Sequence, residues 1–417
     1  MDVFASGNLS PSNPILDAFE PHFDALNFKI MRPDHLTAAA TKVQQEYEAR
    51  LTELENRLEG GEIIGPSNLV DEIDALRKPV RTIYNVAALY AQIYPFNNQW
   101  IRACNAVQST LTRRDEESRP IFNAVKAALN QDSSVAWELN YLLRAYETKG
   151  MDLDEETFES LKLLRQHIRT VESSFHSAEE QDPNAPGRPT KEVLQDLYTV
   201  NAMTMKEAEV LGHKDPVELH LADRAFLLPD IRSVHKEVSA RAQTKIRDSS
   251  PLNASQTVDL RKHLTMDGTL GAMFALTRAL FAVSIVEEKP ANGWDHEVRL
   301  FHVTEEDSGE RLGSFYMDPY FRPIKTRLHV MAPILEDPKT AFVSTTIRPP
   351  VWDHLPTEIG LEDAATLFHE FGHVLQFLLS QRSGLSGGGN VPLDLSEVLP
   401  QVRQMQCDAD APLSHQH

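Results

Sequence analysis

Cysteine is nearly absent from this chain: Cys104 and Cys407 are the only two in 417 residues, and they stand far apart. A disulfide framework is thereby excluded, and a reducing compartment, with the cytosol as default, is the simplest expectation. The first residues, Met1-Asp2-Val3-Phe4-Ala5-Ser6-Gly7, have neither the basic and apolar regions of a secretory leader nor the Arg-rich character of an organellar transit peptide. A mature chain whose leader had been removed would read the same way, so an organelle stays open. Long apolar runs are also missing. The best stretch, Gly271–Val283, is too short to span a bilayer and is interrupted by Arg278, so no membrane partner is expected. Basic charge is in deficit, with 41 Lys and Arg against 61 Asp and Glu and a net charge of −20, which argues against a nucleic-acid partner. What the chain has is a globular composition, 41% hydrophobic, at a length for which two or three domains are the prior.

The front of the chain reads as helices. From Pro33, the residues Leu36, Ala40, Val43, Tyr47, Leu51, Leu54 and Leu58 recur at steps of three and four, one face of a long helix that closes at Gly60-Gly61. Leu161, Leu164, Ile168, Val171 and Phe175 form a second stripe of the same kind. Both are too short for coiled-coil seams, and packing between antiparallel helices is expected. Asp182–Thr190, with three prolines and a glycine, reads as a linker, and Arg247–Pro251 is a second polar break. The division expected is an N-terminal helical domain over 1–185 and a second domain over 186–417. Helical patterning resumes over Leu260–Val286. From Trp294 the period changes, and Val298–Val303, Leu312–Met317 and Ala341–Ile347 read as strands of a small sheet. The fold class expected is mainly α with that sheet beside a late helix.

The late helix, Ile359–Arg382, carries apolar residues almost all round (Leu367, Phe368, Phe371, Val374, Leu375, Phe377, Leu378), the mark of a buried helix. Inside it lies His369-Glu370-Phe371-Gly372-His373, an H-E-x-x-H. Residues four apart share a helix face, so both imidazoles can reach one metal ion, while Glu370 sits one step round, placed to act on water. Two histidines merely satisfied in a core are the bland alternative, costly on so apolar a helix without a strong ligand. The metzincin continuation fails, because Gln376 and Leu379 occupy the places of its glycine and third histidine. Downstream there is a single glutamate, Glu397, 24 residues past His373, with room for a loop and a turn back. His369, His373 and Glu397 then form a His-His-Glu zinc site with an open fourth position, and an exposed structural glutamate is the alternative for Glu397.

Leu367-Phe-His-Glu-Phe-Gly-His-Val-Leu-Gln376, followed by Val391-Pro-Leu-Asp-Leu-Ser-Glu397, resembles the thimet oligopeptidase/oligopeptidase A family of M3 zinc metallopeptidases. In that family F-H-E-F-G-H is followed by a D-x-x-E element, which pairs Asp394 with Glu397 here. Trp294-Asp-His-Glu-Val-Arg-Leu-Phe301 is similar to the family's W-x-x-D-V-R-x-F, and Gly313–Tyr320 to its G-x-F-Y-x-D-x-Y. Arg32-Pro-Asp-His-Leu36 and Lys149-Gly-Met-Asp-Leu153 resemble its N-terminal region, so the likeness runs over residues 10–401. There are departures. The interval from His369 to Glu397 is slightly short, the family's P-S-Q reads Pro400-Gln401, and Val402–His417 matches nothing familiar. Family members continue beyond this point with a tyrosine- and histidine-rich segment, so a C-terminally truncated member is expected.

The resemblance implies a zinc metalloendopeptidase that hydrolyses bonds within short peptides, with Zn²⁺ on His369, His373 and Glu397 and Glu370 as general base. It also implies that Ala341–Ile347 is the edge strand pairing with substrate. The competing expectation is a fragment that binds zinc or peptide with weak turnover or none. Asp394 reads either as a carboxylate orienting a ligand histidine or as a helix cap. Trp294, Trp352 and the aromatics of Phe315–Phe321 read as core or loop anchors. His296, His302, His329 and His354 lack ligand spacing and read as surface residues.

Overall fold

The computed structural model describes residues 13–19, 25–131, 134–181, 190–222, 236, 264–289, 292–350, 352, 355–380 and 396–409. Among them are eleven α-helices and one five-stranded sheet, the mainly α fold with a small sheet that the sequence calls for. The chain forms two compact units, one of residues 1–53, 71–113 and 250–417, the other of 54–70 and 114–249. No helix among the described residues is long and apolar enough to cross a membrane. The linker expected over 182–189 and the break at 247–251 lie outside the described residues.

In the second unit, α4 (Arg119–Ala128), α5 (Ala136–Lys149), α6 (Glu155–Gln181) and α7 (Thr190–Val210), with a short α8 (Pro216–Leu221) after them, enclose Leu139, Leu142, Tyr146, Phe158 and Leu161. Helix α5 stops at Gly150, whose φ of +92° is the left-handed conformation open to glycine, and a Cβ there would meet Leu161 at 2.8 Å.

The first unit holds most of α1 (Pro33–Glu59) and α2 (Pro66–Ile93), all of α3 (Asn98–Thr110), and the sheet. On α1, Leu36, Ala40, Val43, Tyr47 and Leu51 are buried, as their spacing requires. Strands β1 (Val283–Glu288), β2 (Arg299–Glu305), β3 (Arg311–Tyr320), β4 (Val330–Glu336) and β5 (Lys339–Ile347) lie in the order β1-β2-β3-β5-β4. All neighbours are antiparallel except β3 and β5. Strand β5 is therefore internal, and the expectation that Ala341–Ile347 is an edge is wrong. The edge on that side is β4, which the sequence reading missed because Pro333 interrupts its pattern; proline without an N–H belongs on edge strands.

One face of the sheet is apolar. Phe301 and Phe315 stack with centroids 5.0 Å apart, Phe371 stands 5.6 Å from Phe315, and Val303, Met317 and Val343 complete the layer. Against it pack α9 (Met266–Phe281) and α10 (Leu361–Leu379). The helical reading of Leu260–Val286 runs too far: α9 ends where Ala282 turns left-handed at φ +51°, and β1 begins at the next residue.

A buried charge cluster fixes the far ends of β3 and β5. Lys325 Nζ donates to Asp318 Oδ1 at 3.0 Å and to the Thr345 carbonyl at 2.8 Å, while Trp294 Nε1 donates to Asp318 Oδ2 at 2.8 Å. Trp294 is thus an anchor, whereas Trp352 is exposed. Burial holds the Lys325 ammonium below the usual lysine range, partly countered by Asp318. Asp318→Ala should cost about 3–5 kcal/mol in urea unfolding, because it strands a buried cation; a loss under 1 kcal/mol would mean the cluster is well hydrated.

Candidate metal centre

Helix α10 opens with the Gly360 N–H donating to Asp363 Oδ2 at 2.9 Å, and nearly every later side chain on it is buried. Its histidines are among the partly buried exceptions, with Thr366, Gln376 and Leu379. His369 and His373, one turn apart, have centroids separated by 5.0 Å, and their side chains stay 19% and 20% exposed. Glu397 immediately precedes α11 (Val398–Ala409), where its carbonyl accepts from the Gln401 N–H at 3.0 Å. From there its carboxylate reaches both rings: Oε2 is 3.3 Å from His369 Nε2 and Oε1 is 3.5 Å from His373 Nε2. One ligand atom from each of the three residues fits within 4.8 Å of the others. The structure thus brings together all three candidate ligands chosen from the sequence. Asp394 and His354 lie outside the described residues.

This donor set fits zinc. Ligand atoms about 2.0–2.2 Å from a tetrahedral ion stand about 3.3 Å apart, close to the carboxylate–imidazole separations here. Burial, followed by the neighbouring His369, pulls the His373 ring below the usual histidine range, with Glu397 opposing; the net shift keeps its ring nitrogen free to act as a ligand. His369 Nδ1 is buried and meets no hydrogen-bond partner among the described residues.

Glu370 has a different environment. It is buried, and burial pushes its carboxyl up to about 7, with Glu397 adding to the rise and the Met331 backbone N–H on β4 opposing it. Nothing in the sequence announces the Met331 contact, since it depends on how β4 packs beside α10. The close approach of α10 and α11 has a clearer signal. A Cβ on Gly372 would lie 2.5 Å from Pro400 Cα, so the glycine inside H-E-F-G-H lets the helix that follows Glu397 come near.

Residues 243–417 match the model of peptidase family M3. Over that span the chain is similar to peptidase family M3. The organellar oligopeptidase A of Arabidopsis thaliana is 31% identical over 168 residues, 36% of this chain and 21% of that protein. Oligopeptidase A of Haemophilus influenzae is 25% identical over 55% of this chain and 39% of its own length. Oligopeptidase A of Salmonella typhimurium is 23% identical over 64% of this chain and 40% of its own length. The chain thus spans between a fifth and two fifths of the length of these M3 relatives.

The remaining histidines divide. His296 and His329 are exposed, as expected of surface residues, and His329 Nε2 lies 3.3 Å from Thr346 Oγ1. His302 is not the surface residue expected: it is held between Glu288 and Ser314 on the sheet face turned away from α10.

Proposed function

We propose that this chain carries the zinc centre of a metalloendopeptidase acting on short peptides, with His369, His373 and Glu397 as ligands and Glu370 as general base. The observation that carries the reading is the convergence of Glu397 on both imidazoles, across 24 residues of sequence, beside a buried carboxyl raised to about 7. Relatives named oligopeptidases support the substrate class.

Zinc held there supplies a positive charge that acidifies water and polarises a scissile carbonyl. The protein's own groups do the rest. Glu370 accepts the proton of the attacking water on its carboxylate and delivers it to the leaving amine nitrogen. The Met331 backbone N–H on β4 favours that carboxylate, so the general base stands beside the edge strand. An extended peptide adding to β4 would pass its scissile bond in front of Glu370.

The test combines metal analysis with turnover. The parent chain should bind one zinc and cleave an internally quenched fluorescent peptide, and His373→Ala should lose most of the metal. Equal zinc content in the two would sink the ligand assignment. Full zinc with no cleavage would favour a peptide-binding role over an enzymatic one.

A further inference from the structure

A second chemical constellation sits on the opposite face of the sheet. Phe301, Val303 and Phe315 face α10, so the residues between them, His302 and Ser314, face the other way. The register places His302 opposite Ser314 on one side and Val286 on the other, with Glu288 two residues further along β1 on the same face. Ser314 Oγ is 3.0 Å from His302 Nδ1, and His302 Nε2 contacts Glu288 Oε2. Arg311 donates to Ser314 Oγ from Nε at 3.2 Å and from Nη2 at 2.7 Å, and its Nη2 also lies 2.6 Å from His302 Nδ1.

The guanidinium and the carboxylate fix the tautomer of the ring between them. A guanidinium can only donate, so His302 Nδ1 beside it must carry a lone pair. The neutral ring then bears its proton on Nε2, directed at a carboxylate that can only accept. Ser314 Oγ receives from Arg311, and its own proton shares the single Nδ1 lone pair of His302 with Arg311 Nη2. The chain runs Arg311 to Ser314 to His302 to Glu288, the polarity of a serine nucleophile with an oriented base. Ser314 is only 5% exposed to bulk solvent, yet with His302, Arg311 and Glu288 it lines a cavity of about 200 Å³ whose apolar wall includes Leu300, Tyr316 and Leu335.

We propose that Ser314, with His302 as general base and Glu288 orienting it, is a second nucleophilic site that accepts short acyl groups from small activated esters. Ser314 Oγ attacks the ester carbonyl as its proton moves to His302 Nδ1. A carbon–oxygen bond forms, the bond to the leaving alcohol breaks, and that alcohol takes the proton from His302. Water then attacks the acyl-serine, giving a proton to His302 Nδ1 that returns to Ser314, and the carboxylic acid leaves. The Arg311 guanidinium, the cation nearest the reacting oxygen, stabilises the developing negative charge. The cavity limits the acyl group to a few carbons and excludes peptides, so this chemistry is separate from that proposed at the metal centre.

The experiment treats the full chain with 4-nitrophenyl acetate, quenches in acid, and locates acetyl groups by peptide mass spectrometry. Ser314 should acylate at least about a hundredfold faster than serines of the urea-unfolded chain, the lower range for a positioned general base. Glu288→Gln should slow acylation at least about tenfold and Ser314→Ala should abolish the adduct, with zinc content unchanged in both. Zinc content serves as the folding control, because its ligands lie on other elements. No adduct at Ser314, or an adduct formed at equal rate in Glu288→Gln with its zinc content unchanged, would overturn the proposal and leave the network a structural tie between strands. A variant that has lost zinc is replaced by His302→Gln, read by the same criteria.

Discussion

Glu370→Gln is expected to keep its zinc and to lower peptide cleavage by about 10²–10⁴-fold, the usual contribution of a positioned general base. The amide keeps the shape and the Met331 contact, but it cannot accept a proton at neutral pH. Stability offers a second readout on the metal-free protein. The Glu370 carboxyl moves from 4.5 to about 7 on folding, so between those values the folded state holds a proton that the unfolded state has released. The sign is then fixed: this residue's contribution is fully favourable below pH 4.5 and is lost as pH rises through 7, by roughly 3 kcal/mol in all. Glu370→Gln should remove that decline and be the more stable protein at pH 8. Bound zinc, a nearby positive charge, should draw the carboxyl back down and flatten the parent's profile too. A parental rate of peptide cleavage in the zinc-loaded variant would remove Glu370 from the reaction.

Gly372→Ala should displace the third ligand without touching it. The added Cβ would stand 2.5 Å from Pro400 Cα and 3.0 Å from Pro400 N, backbone atoms that cannot rotate away. Helix α11 must retreat, and Glu397, three residues before Pro400, goes with it. Zinc affinity should fall by about 10- to 100-fold, the range for losing support around a ligand, with a further cost of about 1–3 kcal/mol from overpacking. Titration against a chromophoric chelator reads the first and thermal unfolding the second. Unchanged zinc affinity in a folded Gly372→Ala protein would mean that Glu397 is positioned by something other than this helix contact.

The candidate site was legible from sequence where its geometry is local. His369 and His373 share a face because a helix returns every 3.6 residues, and the apolar residues around them show that the helix is buried. Glu397 could be singled out by scarcity, as no other glutamate follows the motif. What depends on packing between distant segments left no trace. The Met331 contact with Glu370 needs β4 beside α10, and β4 itself was hidden by Pro333. The end of α9 was missed for a different reason: alanine at φ +51° takes a position usually signalled by glycine, so the apolar run Phe281–Val286 reads as one helix. His302 looked like a surface residue because its neighbours Glu288 and Ser314 come from other strands, and only the cross-strand register brings them together.

Pro333 has a consequence for how this protein avoids its own kind. A free sheet edge beside an active centre is also a template on which another copy's sheet can stack without limit. Met331 and Pro333 are two apart, so their amide positions face the same side of β4. One is directed to Glu370 and the other has no hydrogen to offer. A bulge then breaks the pairing register between Pro333 and Leu335. The outer edge of β4 therefore presents an interrupted row of donors, too broken to seed a growing fibre.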